Sequence, residues 1–152
     1  MISEDVIRKK FKTIFIASDH AGLDLKNHLI GRYPFLPWKD LGTHNNDSVD
    51  YPDYAEKLCV ELKPRLHDAC GVLVCGSGQG MAIRANRFPF IRAALCWNEE
   101  IAQLARLHND ANVLCVAGRH LPFQIAEKIL TVYLETEFEG GRHQKRVDKL
   151  SC

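Results

Sequence analysis

The stretch VLVCGSGQG, residues 72–80, runs an apolar segment into a cysteine and then sets three glycines within five positions. An unbroken apolar run of this length reads as a strand covered on both faces, and the glycines after it as a strand-to-helix junction. Three more runs have the same character: TIFIAS (13–18), RAALCW (92–97) and NVLCVAG (112–118). PFLPWKDLG (34–42) is a weaker fifth, and its two prolines assign it to a sheet edge. Between the runs, apolar residues recur at i, i+3, i+4, i+7: Ala55, Leu58, Cys59 and Leu62; Ile101, Leu104, Ala105 and His108; Ala126, Ile129, Leu130 and Tyr133. That period predicts three helices, with a further one over Gly22–Arg32 and another after the glycine loop. Pro52 suits a first helical turn, and Pro64 ends or bends the same helix.

Alternating strands and helices predict a single-domain α/β fold, a three-layer α/β/α sandwich of Rossmann-like form around a five-stranded parallel sheet. The core is expected over about 12–138. Residues 139–152 are set apart, because EGGRHQKRVDKL is broken from the preceding helix by glycines and carries a basic helix with no apolar face wide enough to join the core.

With 152 residues the chain buries roughly two thirds of the surface its unfolded form exposes, so disulfides are not required. Twenty basic against nineteen acidic residues leave no overall field to draw it to nucleic acid or an anionic membrane. Cysteines at 59, 70, 75, 96, 115 and 152 form no CxxC pair and no close Cys/His spacing, which predicts reduced thiols rather than a disulfide framework or zinc site. The charged start MISEDVIRKKFK lacks the apolar centre of a signal peptide, and no run approaches a bilayer span. The expected compartment is the cytoplasm.

Loops after the strands of an open parallel sheet share its carboxyl edge, where ligands bind. Ser18, Asp19 and His20 follow the first strand, Cys75 and the glycine loop the second buried run, and Gly118, Arg119 and His120 the last. Gly76, Gly78 and Gly80 let backbone amides approach a ligand, or else simply permit a tight turn. The spacing is neither a phosphate loop, since the lysine and hydroxyl of GxxxxGK[ST] are missing, nor a dinucleotide fingerprint, since Met81 holds the last glycine position. Cys75 reads either as the last core residue of its strand or as a thiol whose pKa is lowered by loop amides below the free value of about 8.5. His108, at the end of its helix, is a core residue or a catalytic one. Asp19 is a helix cap or an acid–base group. Arg142 and Arg146, four apart with His143 between, are a solvated basic face or a pair of guanidiniums matched to a phosphate.

Taken together, ASDHAG (17–22), DYPDYA (50–55), CGSGQGM (75–81), ARLHNDANVLCVAGR (105–119) and EFEGGRHQKRV (137–147) resemble the family of ribose-5-phosphate isomerase B and the galactose-6-phosphate isomerase subunits, from about Lys12 to Leu150. The resemblance implies metal-independent interconversion of D-ribose 5-phosphate and D-ribulose 5-phosphate through an enediol, in the non-oxidative pentose phosphate pathway, with no cofactor. It implies a homodimer that can pair into a tetramer. By the same resemblance Cys75 moves the proton between C2 and C1, and relatives that lack this cysteine carry a glutamate at the position of Met81. Amides of Gly76–Gly80 and the Ser77 hydroxyl would stabilise the developing enediolate, at about 3 to 4 kcal/mol per donor. Asp19 and His108 are given ring opening, Tyr51 the wall of the sugar site, Asn109 a sugar hydroxyl, and Arg142 with Arg146 the phosphate, supported by Arg119, His20 and His143. The basic tail and the HND segment are expected to complete a neighbouring subunit's site.

Three other readings compete. A six-carbon phosphosugar such as allose or galactose 6-phosphate needs only more room, and fit alone often discriminates only 10- to 200-fold. A non-catalytic nucleotide- or flavin-binding module gives no reason for Cys75, His108 and the paired arginines to occur together. A metal-dependent isomerase would draw on Asp19, His20 and His108, which form no close ligand pair on one helix.

Overall fold

The computed structural model describes residues 2–151. Five strands, β1 (Thr13–Ser18), β2 (Trp38–Asp40), β3 (Ala69–Cys75), β4 (Ala93–Leu95) and β5 (Val113–Ala117), form one sheet in the order β2-β1-β3-β5-β4. Every pairing is parallel. The helices are α1 (Glu4–Lys10), α2 (Leu23–Arg32), α3 (Tyr51–Leu62), α4 (Gln79–Ala85), α5 (Glu99–Asn109), α6 (Phe123–Glu135) and α7 (Gln144–Val147). The three-layer sandwich and the edge position of β2 are as expected from the apolar runs and the prolines.

Alternate residues of the central strands feed two cores. Ile14, Ile16, Val72, Val74, Leu114 and Val116 face α2, α5 and α6, whereas Phe15, Ala17, Leu73, Cys75 and Cys115 face α3 and α4. All seven residues of β3 are buried, which is why its sequence shows no alternation. Pro52 lies in the first turn of α3, and Pro64 sits in the 3-10 turn that ends it. Cys59, Cys70, Cys75, Cys96 and Cys115 are free and buried; Cys152 lies outside the described residues. No helix among the described residues is long and apolar enough to cross a membrane.

Three expectations need correction. The core does not begin at Lys12: Ile2, Ile7 and Phe11 are buried in the larger core, where α1 packs beside α6. The buried face of α5 is Ala102, Ala105 and Arg106, with Ile101, Leu104 and His108 half-exposed. Arg106 is taken inward because its guanidinium donates to the Ala111 carbonyl at 2.6 Å and to Asp110 at 2.9 Å. The RAALCW run is also shorter than it reads, since it supplies only the three paired residues of β4.

Candidate active site

The chain leaves β1 toward β2 on one side and enters β3 on the other, so the sheet has a switch point between β1 and β3 where a crevice opens at the carboxyl edge. Asp19 follows β1 and Cys75 ends β3 at that crevice. Cys75 is 4 % exposed. Burial pushes its thiol above the ordinary range, against the N–H groups of Met81, Gly78 and Gly80, which bond to the sulfur and pull the other way; the Asp19 carboxylate adds to the rise. The expectation of a lowered thiol pKa is therefore corrected: desolvation outweighs the amides.

Asp19 is 6 % exposed, and its Oδ1 accepts the Gly22 N–H at 3.0 Å, capping the 3-10 turn His20–Gly22. The cap reading of Asp19 is thus realised, with the carboxylate still beside the thiol. A half-buried ion pair fixes the neighbouring loop. Lys26 Nζ reaches both carboxylate oxygens of Asp40 at 2.6 and 2.7 Å, Asp40 Oδ1 accepts the Gly42 N–H, and Gly42 and Thr43 pair with the backbone of Ser18. His20 Nδ1 accepts the Val49 N–H at 3.2 Å, which puts the proton of its neutral ring on Nε2.

The floor of the crevice is backbone. A Cβ on Gly118 would lie 3.0 Å from the Ala21 carbonyl oxygen and 3.1 Å from the Gly22 Cα, and one on Gly22 would collide with the Val74 carbonyl. Gly78 has φ +78° and would set a Cβ 2.5 Å from Leu95, so this glycine is required by both conformation and space. Tyr51, at the start of α3, lays its ring against Gly80, and Arg119 extends beside Gly76 on its own chain's loop. The Ser77 hydroxyl, exposed at the loop tip, accepts the Gln79 N–H at 3.4 Å.

The other candidates lie elsewhere. His108 and Asn109 end α5, just before β5 begins, and so stand at the amino edge of the sheet. Val113 opens β5 and Ala117, the register partner of Cys75, closes it; four residues of strand, about 13 Å, separate the two levels. The tail comes to the same edge: the Glu139 N–H donates to the Leu107 carbonyl, and His143 stacks on His108 with ring centroids 4.3 Å apart and planes 14° from parallel. Burial and the nearby His108 hold the His143 imidazole below the ordinary range. Arg142 and Arg146 are exposed beside it. The candidate residues therefore fall into two groups on one chain: Cys75, Asp19, His20, Tyr51, Ser77 and Arg119 at one edge, and His108, Asn109, Arg142, His143 and Arg146 at the other.

Asp19, His20 and His108 are not gathered into a metal site. Sequence reasoning missed Glu139, whose Oε2 lies 3.9 Å from His108 Nε2 and 3.8 Å from His143 Nε2; its place four residues before His143 was the available signal. The Met81 amide, not its side chain, faces Cys75. That side chain is wholly buried in the core.

A five-stranded parallel sheet with a crevice at its switch point, and a buried thiol and carboxylate at that crevice, is the architecture of an α/β enzyme. The family model described as Ribose/Galactose Isomerase matches residues 14–150, and the chain belongs to that family. It is 38 % identical over 145 residues to the ribose-5-phosphate isomerase B of Escherichia coli, covering 93 % of this chain and 95 % of the relative. The crystal structure of a ribose 5-phosphate isomerase from Thermotoga maritima superposes with a TM-score of 0.88 at 43 % identity, over 91 % of this chain and 97 % of that one. Ribose-5-phosphate isomerase B from Mycoplasma genitalium, with bound ribulose-5-phosphate, gives 0.87 at 40 % identity, over 91 % and 93 %.

Proposed function

We propose that this chain interconverts D-ribose 5-phosphate and D-ribulose 5-phosphate through an enediol, with Cys75 as the base. The observation that carries the reading is the Cys75 sulfur, bonded by the N–H groups of Gly78, Gly80 and Met81 beside the Asp19 carboxylate. The relative with bound ribulose-5-phosphate supports the substrate class.

In the open-chain aldose the thiolate takes the C2 proton while the C1 carbonyl oxygen accepts the electron pair and a proton. The enediol then loses its C2 hydroxyl proton and receives at C1 the proton held on sulfur, giving the ketose. Asp19 and His108 exchange the protons of ring opening. Ser77 and the amide of Gly76 stabilise the enediolate, since the amides of Gly78, Gly80 and Met81 serve the sulfur.

The two half-sites lie at opposite edges of the sheet, so a complete site needs a second copy. In this reading the chain is a homodimer in which His108, Asn109, Arg142, His143 and Arg146 reach the partner's crevice, while Arg119 and His20 serve their own. The test is isomerisation in deuterated water. Deuterium should enter C2 of recovered ribose 5-phosphate and C1 of ribulose 5-phosphate, and Cys75→Ala should reduce this incorporation at least a thousandfold. Near-normal incorporation by the folded variant overturns the assignment of the base.

A further inference from the structure

The group at the amino edge has a composition that thiol chemistry does not call for. His108 Nε2 and His143 Nε2 face the same Glu139 Oε2 at 3.9 and 3.8 Å, and the ligand atoms of the three residues all lie within 4.8 Å of one another. A second observation is independent of that spacing. His143 is 5 % exposed and its Nε2 is buried with no hydrogen-bond partner. Carboxylate and imidazole at 3.8 Å are too far apart for a hydrogen bond, so the buried Nε2 is left unsatisfied.

We propose that His108, Glu139 and His143 form a binding site for a divalent transition-metal ion of the zinc class. Two imidazoles with one carboxylate suit zinc, whereas magnesium and calcium prefer an all-oxygen shell. Tetrahedral zinc with bonds of about 2.0–2.2 Å holds its ligand atoms about 3.3 Å apart, so Glu139 must close on each imidazole by about half an ångström and the two imidazoles on each other by up to about 1.5 Å. The exposed Glu139 can move freely, and the half-exposed His108 ring can tilt out of its stack so that both imidazole lone pairs converge. The buried His143 is the fixed member, and the fourth position stays open. A bound ion ties the tail to the end of α5 and occupies the lone pairs of both imidazoles, so it inhibits isomerisation. That consequence rests on the function proposed above; the ion site itself does not.

The test is titration of the full chain with Co²⁺ alone, then displacement by Zn²⁺ in competition with a chelator, alongside Glu139→Gln. The expected result is a single tight ion per chain with cobalt d–d absorption and no sulfur-to-cobalt charge-transfer band. Glu139→Gln should bind it roughly 10- to 100-fold more weakly. Metal-free turnover of the variant should stay within about twofold of wild type, because Glu139 has no part in the proposed reaction, while its inhibition by Zn²⁺ shifts by the same factor as its affinity. Equal affinities in the two proteins, or a sulfur band, overturn the site. An ion bound with nitrogen and oxygen ligands that leaves ribose 5-phosphate turnover undiminished upholds the site and overturns the inhibition, together with the role given to His108 and His143. His108→Gln gives an independent check should Glu139→Gln fold poorly.

Discussion

The ring of Tyr51 rests on Gly80 so closely that a Cβ there would come within 2.6 Å of two ring carbons. Gly80 lies in α4, where alanine is a better helix former by about 1 kcal/mol, and Tyr51 is 42 % exposed and free to swing aside. Gly80→Ala should therefore leave Tm unchanged or slightly higher while KM rises several-fold. A lowered Tm with normal KM would show that the contact serves folding and not the sugar.

The state of Cys75 sets the pH dependence. Its thiol is raised by burial, so the thiolate fraction, and with it kcat/KM, grows with increasing pH and keeps growing above neutrality. Rates of iodoacetamide alkylation at Cys75 should follow the same limb. A kcat/KM profile already flat below pH 7 contradicts a thiolate base with this environment.

Arg142 and Arg146 are exposed, so their loss should cost little stability. Each hydrogen bond to a charged group contributes about 1.5–3 kcal/mol, and removing one guanidinium should raise KM roughly 10- to 100-fold. Steady-state kinetics of Arg142→Ala, Arg146→Ala and the double variant check this; an unchanged KM moves the phosphate elsewhere.

The distance between half-sites makes subunit mixing informative. Cys75→Ala and His108→Ala chains are each expected to be inactive, yet a hybrid dimer joins one intact crevice to one intact tail. Equal mixing with full exchange should return about a quarter of wild-type activity. Native mass spectrometry verifies the exchange, and hybrids without activity would mean that each chain completes its own site.

Much of this molecule can be read from its residues. Apolar runs at 13–18 and 72–75 read as strands covered on both faces, and the prolines at 34 and 37 mark β2 as an edge. The helix α1 is hidden because its charged segment offers only Ile2, Ile7 and Phe11 to the core, too sparse for a periodic signal. Topology likewise tells which edge a residue occupies, so Cys75 and Asp19 can be paired before any side chain is placed. The balance at the sulfur cannot be read this way: amide donors are local and visible in the glycine loop, whereas desolvation depends on Leu73, Met81 and Cys115 folding around it. The same holds for His143, whose burial follows from a stack with a residue 35 positions away.

The main-chain contact among Gly22, Gly118 and the carbonyls of Ala21 and Cys75 joins three connections that are far apart in the sequence. Nothing compressible lies between them, so this bed cannot give way when a ligand arrives. On the function proposed above, preference for a longer or shorter sugar would then be rewritten at the rim, through residues such as Tyr51 and Ser77, while the bed keeps its shape.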